Sequence, residues 1–311
     1  MPNPPNHRLY LALTRTPTHI GCGHGLGEID LPIQRNSWGL PILPGSAIKG
    51  VLRQSAAESW RCTPGQITTL FGPDRENASD HAGMLAPQDA RLLAMPVASL
   101  CGGWAWVTCL GMLMRYQRDA VAAGQAGLPP LPAALPDAQS AQVASEHSPL
   151  LMQQALSHLA VLHESTLQVR AEACVGPWAE HLAARAFPND DTAWRQDFAQ
   201  RLIVVNDDLF HHFTHVATEV RARVSLDENR VAKDNALWRE ECVPADSLFW
   251  GLISAFPVVA KPRDGAVRDA VSVPAALDMV RAACVQIGGK AGVGYGWLDF
   301  LPQPAGGEAA R

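Results

Sequence analysis

Apolar and polar residues alternate from His7 to Thr16 (HRLYLALTRT), the two-residue period of a strand with one buried face. After a glycine-rich stretch, residues 47–60 (AIKGVLRQSAAESW) carry apolar side chains at helical spacing behind Pro44-Gly45-Ser46. This pattern predicts a helix with Ser46 as its cap. Residues 84–98 predict a short loop and a strand, and 104–116 an apolar strand running into a helix. Residues 124–149 are rich in Ala and Pro and have little periodicity, which predicts a surface loop or insertion. The pattern then predicts a strand over 163–171, helices over 179–187 and 192–202, a buried strand over 202–206 and a capped helix over 207–220. Residues 218–250 read as strand, charged tip, strand: a long hairpin able to form an arm or thumb. Residues 273–288 predict a helix that runs into a second glycine-rich loop, GGKAGVGYG, and a final strand.

Composition narrows the class. At 311 residues and 47% hydrophobic, the chain can bury a sizeable core in one large domain. No apolar run approaches the roughly 18 residues of a membrane-spanning helix, so no membrane partner is expected. Seven scattered cysteines without a CxxC pair fit free thiols in a reducing cytoplasm. The net charge of −5 counts against a generic nucleic-acid binder. Its distribution changes that picture. There are only four lysines, and Lys49 and Lys290 both lie in glycine-rich segments, where local basic loops can meet a phosphate backbone.

Candidate chemistry gathers in these loops. Asp30 is the first aspartate of the chain and lies in a loop of glycines and histidines, where a carboxylate can bind Mg²⁺ or take a proton. The bland alternative is a turn residue ahead of Leu31-Pro32. His19 is a candidate for phosphate contact or proton transfer. Gly45, Ser46 and Lys49 sit at a helix start, where backbone N–H groups and the helix dipole favour phosphate, with Arg35 and Arg53 behind them. Gly288, Gly289, Lys290, Gly292 and Gly294 allow close backbone approach to a ligand, or a plain tight turn. Glu240 and Glu241 read as secondary catalytic candidates or a solvated strand end. Leu237 and Trp238 read as a wedge against a base pair or a packed hairpin face. His211 and His215 share a helix face but lack a third ligand for zinc.

Three segments together carry a resemblance: THIGCGHGLGEIDLPIQR with PILPGSAIKG, LIVVNDDLFHHFTHVATEVRARVSL with NALWREECVP, and IGGKAGVGYGWL. They resemble the RAMP superfamily of CRISPR proteins, and within it the backbone subunit of the type III-B (Cmr) effector complex. The resemblance spans the chain outside 117–160 and the termini. It implies an α+β fold: a ferredoxin-like (RRM-like) core with insertions and a protruding β-hairpin thumb, as one domain over 1–311 with 117–160 variable and 218–250 forming the thumb. It also implies a filament of copies along crRNA with other Cmr subunits, each copy cutting target RNA beside its thumb. The family's active-site carboxylate lies eleven residues after a histidine, which is Asp30 after His19 here. A divalent metal, Mg²⁺ or Mn²⁺, is implied as cofactor. Cys242 departs from the aromatic residue expected just after Glu240-Glu241. The rival readings are a non-catalytic crRNA-binding scaffold, the type III-A backbone subunit and a crRNA-processing endonuclease.

Overall fold

A computed structural model describes residues 6–23, 25, 27–73, 81–154, 157–188, 191–257 and 271–304. The chain opens with strand β1 (His7–Thr14), as expected, but its last six residues are all buried, so both faces are covered and not the single face that alternation predicts. After the glycine-rich loop come β2 (Ile42–Leu43), α1 (Gly45–Glu58), α2 (Pro64–Phe71), β3 (Leu85–Pro87) and β4 (Ala90–Ser99). Ile48, Leu52 and Ala56 form the buried stripe of α1, at the i, i+4, i+8 spacing that the sequence displays. The predicted strand-to-helix run is β5 (Gly103–Cys109) and α3 (Leu110–Ala122).

The middle of the chain adds β6 (Ser140–Val143), β7 (Met152–Gln154), β8 (Ser157–Leu162), β9 (Ser165–Ala171), α4 (Val175–Ala186) and α5 (Thr192–Arg201). It continues with β10 (Leu202–Val205), buried throughout, and α6 (Asp207–Val216), capped by the Asn206 side chain on the Asp208 amide. Then follow β11 (Glu219–Leu226), β12 (Ala232–Cys242), β13 (Leu248–Ala255), α7 (Val273–Asp278), β14 (Ala283–Gln286) and β15 (Trp297–Pro302).

Thirteen of the described strands join one sheet in the order β14-β15-β1-β13-β4-β5-β10-β6-β9-β8-β7, with β2 beside β4 and β3 beside β13. A bridge from Ser99 of β4 to Leu162 of β8 closes β4, β5, β10, β6, β9 and β8 into a ring. Within β15-β1-β13-β4 every pairing is antiparallel. β13 is buried at all eight positions, so its near-continuous apolar run LFWGLISA reflects cover on both faces. β11 and β12 stand outside this sheet as a separate antiparallel pair.

Three local expectations are corrected. The region 124–149 is not all loop: β6 lies between β10 and β9 with Ala141, Gln142 and Val143 buried. Its glutamine hid the strand, and Gln142 Nε2 is accommodated by donating to the Ala133 carbonyl at 2.9 Å. The helix expected over 273–288 stops at Asp278, because Ala283–Gln286 is drawn into pairing with β15 at the sheet edge. Finally, Ser46 does not cap α1. Pro44 is the cap residue, and Asp89, just before β4, accepts the Gly45 amide at 2.8 Å.

Candidate nucleic-acid interface and catalytic loop

The glycine-rich loop after β1 folds onto the root of the β11–β12 hairpin. Thr18 and Val243 exchange backbone hydrogen bonds at 2.9 Å. Leu31 then runs parallel to β12: its amide donates to the Arg239 carbonyl and its carbonyl accepts from the Glu241 amide, both at 3.0 Å. β12 is thus held between β11 and this added segment, which leaves no free edge along Arg239–Glu241. Asp30 sits where the segment begins. Its side chain is exposed, and Oδ2 accepts from the Arg239 amide at 2.7 Å. The carboxylate is therefore oriented by backbone while Oδ1 remains open, since no hydrogen bond or ion pair engages that oxygen among the described residues.

Glu240 and Glu241 are not a solvated strand end. They are 1% and 3% exposed, and as neighbours on a strand they point to opposite faces. Glu241 organises one face. Oε1 accepts from Arg35 Nη2 at 2.5 Å and from Thr218 Oγ1 at 3.0 Å, and Oε2 accepts from the Ile33 amide at 3.1 Å. The Glu241 carbonyl accepts from His19 Nδ1 at 2.7 Å, so His19, 6% exposed, is a buried tie between loop and hairpin.

Glu240 organises the other face. Oε1 accepts from Lys290 Nζ and from Trp238 Nε1, both at 2.6 Å, and Oε2 faces Arg223 Nε at 3.3 Å. Burial pushes this carboxyl up, but the Lys290, Trp238 and Arg223 donors outweigh it and hold the acid below its ordinary value. Arg221 Nη1 and Arg223 Nη2 both donate to the Tyr295 hydroxyl, at 2.8 and 2.6 Å. Lys290 also lies 5.8 Å from the Trp238 ring centroid. Cys242, where an aromatic was expected, is buried at the hairpin root, and burial with the nearby Glu219 carboxylate pushes its thiol up to about 11.

The second glycine-rich loop packs on the first. The Gly289 amide donates to the His19 carbonyl at 3.0 Å. Gly288 has a φ of +79°, and a Cβ there would lie 2.4 Å from that same carbonyl oxygen, so no larger residue fits. Gly292 and Gly294 lie on the exposed rim with Gly288 and Gly289. At the start of α1, Gly45 is buried against the Pro87 carbonyl, 2.3 Å from where a Cβ would stand. Ser46 is exposed, and Lys49 has no hydrogen bond or ion pair among the described residues. Burial, then the Arg53 charge, lowers the Lys49 pKa. Arg53 itself donates to the Gly72 and Pro73 carbonyls at 2.7 and 3.3 Å.

The structure therefore brings His19, Asp30, Arg35, Trp238, Glu240, Glu241 and the Gly288–Gly294 loop into one assembly, with Gly45, Ser46, Lys49 and Arg53 on a separate helix start. Leu237 is 69% exposed on the hairpin face opposite Trp238. Sequence reasoning missed Arg221, Arg223 and Tyr295. The two-residue spacing in EVRARV already placed both arginines on one strand face. His211 and His215 do not face a third ligand: among the described residues no group of three His, Cys, Asp or Glu could hold a metal ion. Their rings, 4.7 Å apart, pack beside the Trp38 loop.

A sheet built this way, a glycine-rich loop laid on a hairpin root and a carboxylate exposed between them define the class of protein. The RAMP superfamily model matches residues 12–299, and the chain belongs to the RAMP superfamily. Within it the chain is 32% identical over 287 residues to the CRISPR system Cmr endoribonuclease Cmr4 of Pyrococcus furiosus, with 92% of each protein covered. It is similar to the crystal structure of oligomeric Cmr4 from Pyrococcus furiosus, with a TM-score of 0.67 and 26% identity over 96% of this chain and 98% of that one. A chain of the type III-B Cmr-beta complex bound to cognate target RNA, seen by cryo-electron microscopy, shares the fold with a TM-score of 0.65 and 17% identity, covering 95% of this chain and 96% of that one. No helix among the described residues is long and apolar enough to cross a membrane.

Two predictions test the ion-pair framework. Glu241→Ala leaves the Arg35 charge and the Ile33 amide without their acceptor in a buried setting. It should cost about 3–5 kcal/mol of stability, read from the denaturant midpoint at constant slope. The second concerns pH. Because the folded-state pKa of Glu240 lies below its unfolded value, its stabilisation is complete above the ordinary carboxylate range and is lost as pH falls through the folded value. Wild type should therefore lose more stability than Glu240→Gln on titration from about pH 6 to about pH 3; parallel acid limbs would show that the pair contributes nothing.

Proposed function

We propose that this chain is a crRNA-binding backbone subunit of a type III-B CRISPR effector complex, and that it cleaves guide-complementary target RNA with Asp30 as the catalytic carboxylate. The observation that carries the reading is the placement of Asp30. It is exposed, aimed by the Arg239 amide and fixed to the root of a two-stranded hairpin that stands outside the main sheet. The 32% identity to a protein named a Cmr endoribonuclease supports the same assignment. In this reading β11–β12 is the thumb. The antiparallel order β15-β1-β13-β4, with α1 and α7 in the connections, supports a ferredoxin-like core. Copies of the chain and other Cmr subunits are its protein partners.

The chemistry follows from the geometry. RNA cleavage by its own 2′-hydroxyl needs that oxygen in line with the scissile phosphate, which a regular duplex prevents. Splaying one nucleotide out is therefore a precondition, and the hairpin beside Asp30 is the element placed to impose it. The open Oδ1 of Asp30 then takes the 2′-hydroxyl proton as the 2′-oxygen bonds to phosphorus and the P–O5′ bond breaks, leaving a 2′,3′-cyclic phosphate and a 5′-oxygen that takes a proton from water. Glu240 and Glu241 act through position, since their oxygens are committed to Lys290, Trp238, Arg35 and Ile33.

A divalent cation, Mg²⁺ or Mn²⁺, fits only as a shared ligand. Among the described residues no group of three His, Cys, Asp or Glu surrounds Asp30, so phosphate oxygens and water would complete the shell, as is usual for Mg²⁺. Bound there, the ion would stabilise charge developing on the phosphate. Lys49, Ser46 and the exposed Gly288–Gly294 rim remain available for the guide backbone. Arg35 and Lys290 would reach phosphate only by giving up Glu241 and Glu240.

In a reconstituted complex with labelled complementary RNA, Asp30→Ala should lower cleavage by about 10²- to 10⁴-fold and leave guided binding unchanged. Asp30→Asn, which keeps an acceptor for the Arg239 amide, should behave the same. Cuts at wild-type rate in either variant would sink the catalytic assignment and favour a scaffold, and products that persist in EDTA would remove the metal. Lys49→Gln should weaken crRNA binding and lower the slope of log K against log salt by about one; an unchanged slope would exclude a phosphate contact there.

A further inference from the structure

The loop from Asn36 to Leu40 exposes a tryptophan and holds its backbone firmly. Asn36 Oδ1 accepts from the Trp38 and Leu40 amides at 2.9 and 3.0 Å. The Asn36 amide donates to the Leu40 carbonyl at 2.9 Å, and the Gly39 amide to the Asn36 carbonyl at 3.0 Å. His211 Nε2 donates to the Trp38 carbonyl at 2.6 Å, and Arg35 Nη1 to the Gly39 carbonyl at 2.8 Å. Arg35 thereby ties this loop to Glu241 and the Asp30 segment. Despite this ordering, Trp38 is 55% exposed. The ordered backbone fixes the orientation of this exposed indole, so a partner that meets the ring has little ordering cost to overcome.

One face of the ring is already covered. The Arg115 guanidinium lies 4.7 Å from the ring centroid. Its Nη1 donates to the Gly111 carbonyl at 2.8 Å, and no carboxylate among the described residues pairs with it. Asp207, across Gly111, is engaged by the Gly111 amide at 3.0 Å. Exposed His211 and His215 of α6 border the loop at Gly39. Exposed Met114, next to Arg115, lines a separate cavity with Val121 and Leu128, so it does not extend the indole into an apolar patch. A single open ring face is far smaller than the ~800 Å² per partner of a stable protein interface, but it matches one base. An aromatic face with a guanidinium beside it that makes no direct ion pair is an arrangement that can hold single-stranded nucleic acid, with the base stacked and the phosphate on the cation.

We propose that the open face of Trp38 stacks one unpaired nucleobase of a bound RNA strand, with Arg115 and the α6 histidines meeting the adjacent phosphates. This rests on the RNA-binding reading above and adds a base-stacking site distinct from the Asp30 carboxylate.

The test uses the full chain carrying Asp30→Ala, so that RNA stays intact, titrated with oligouridylate RNA bearing a single 2-aminopurine. Affinity is read by anisotropy and stacking by quenching. Trp38→Ala should weaken binding on the order of ten-fold and abolish the part of the quenching that depends on this ring, while Trp38→Phe preserves both. Arg115→Gln should lower the salt slope by about one. Equal affinity and quenching in the parent chain and Trp38→Ala would overturn the stacking site and leave the proposed function standing. No RNA binding by the parent chain would overturn both. A change in self-association in Trp38→Ala at unchanged RNA affinity would overturn the site in favour of a contact between copies. Thermal melting of each variant confirms that loss of binding is not loss of fold.

Discussion

The buried carboxylate of Glu241 is the constraint on which the assembly depends. A charge 3% exposed is tolerated only when fully compensated. Arg35, Thr218 and the Ile33 amide do so from one side chain, while the Glu241 backbone binds Leu31 and His19. Every one of these partners belongs to the loop after β1 or to the hairpin root. Satisfying one charge therefore sets the position of the segment that carries Asp30. The Arg239 amide then orients the carboxylate, so the proposed catalytic group is aimed by backbone already fixed from behind.

Glu240 performs the matching task on the opposite face. Lys290, Trp238 and Arg223 converge on it, and Arg223 with Arg221 reaches Tyr295 in the second glycine-rich loop. Two adjacent strand residues thus clamp two glycine-rich loops, one on each side of β12. The cost is that Arg35 and Lys290 are spent inside the protein. Among the cations considered, Lys49 and Arg115 remain without a carboxylate partner among the described residues, and they stand on other elements. The framework beside Asp30 and the surface proposed to meet phosphate are in this way largely separate sets of residues.

The hairpin has two unlike faces because directly opposed residues share a face and successive pairs alternate between faces. Arg221 opposes Glu240 and Arg223 opposes Trp238, which gathers charge and the indole toward the second loop. Val224 opposes Leu237 on the other face, where both are exposed, 46% and 69%. The root is held by buried ion pairs and the outer part carries apolar residues to solvent. An element rigid at its base and apolar along one exposed face is suited to press on a stacked duplex, as the proposed function requires.

Much of this protein was legible in its sequence, because local pattern reports burial. Strand β1, the apolar run of β10, the β5–α3 passage and the Asn206 cap of α6 each follow from neighbours a few residues apart. So does the isolation of Asp30 among glycines, and the same segments carried the resemblance to the RAMP superfamily. The remaining features depend on partners with no local mark. Arg35 meets Glu241 from 206 positions away and Lys290 meets Glu240 from 50, so charges that read as solvent-facing phosphate ligands and a solvated strand end are in fact buried pairs. Ala283–Gln286 is a strand because β15 lies beside it, and Ser140–Val143 because β9 and β10 do. Hydrophobic periodicity is a property of the chain itself. Which charge is neutralised, which edge is covered and which tryptophan is left in water are decided only when distant segments compete for the same space.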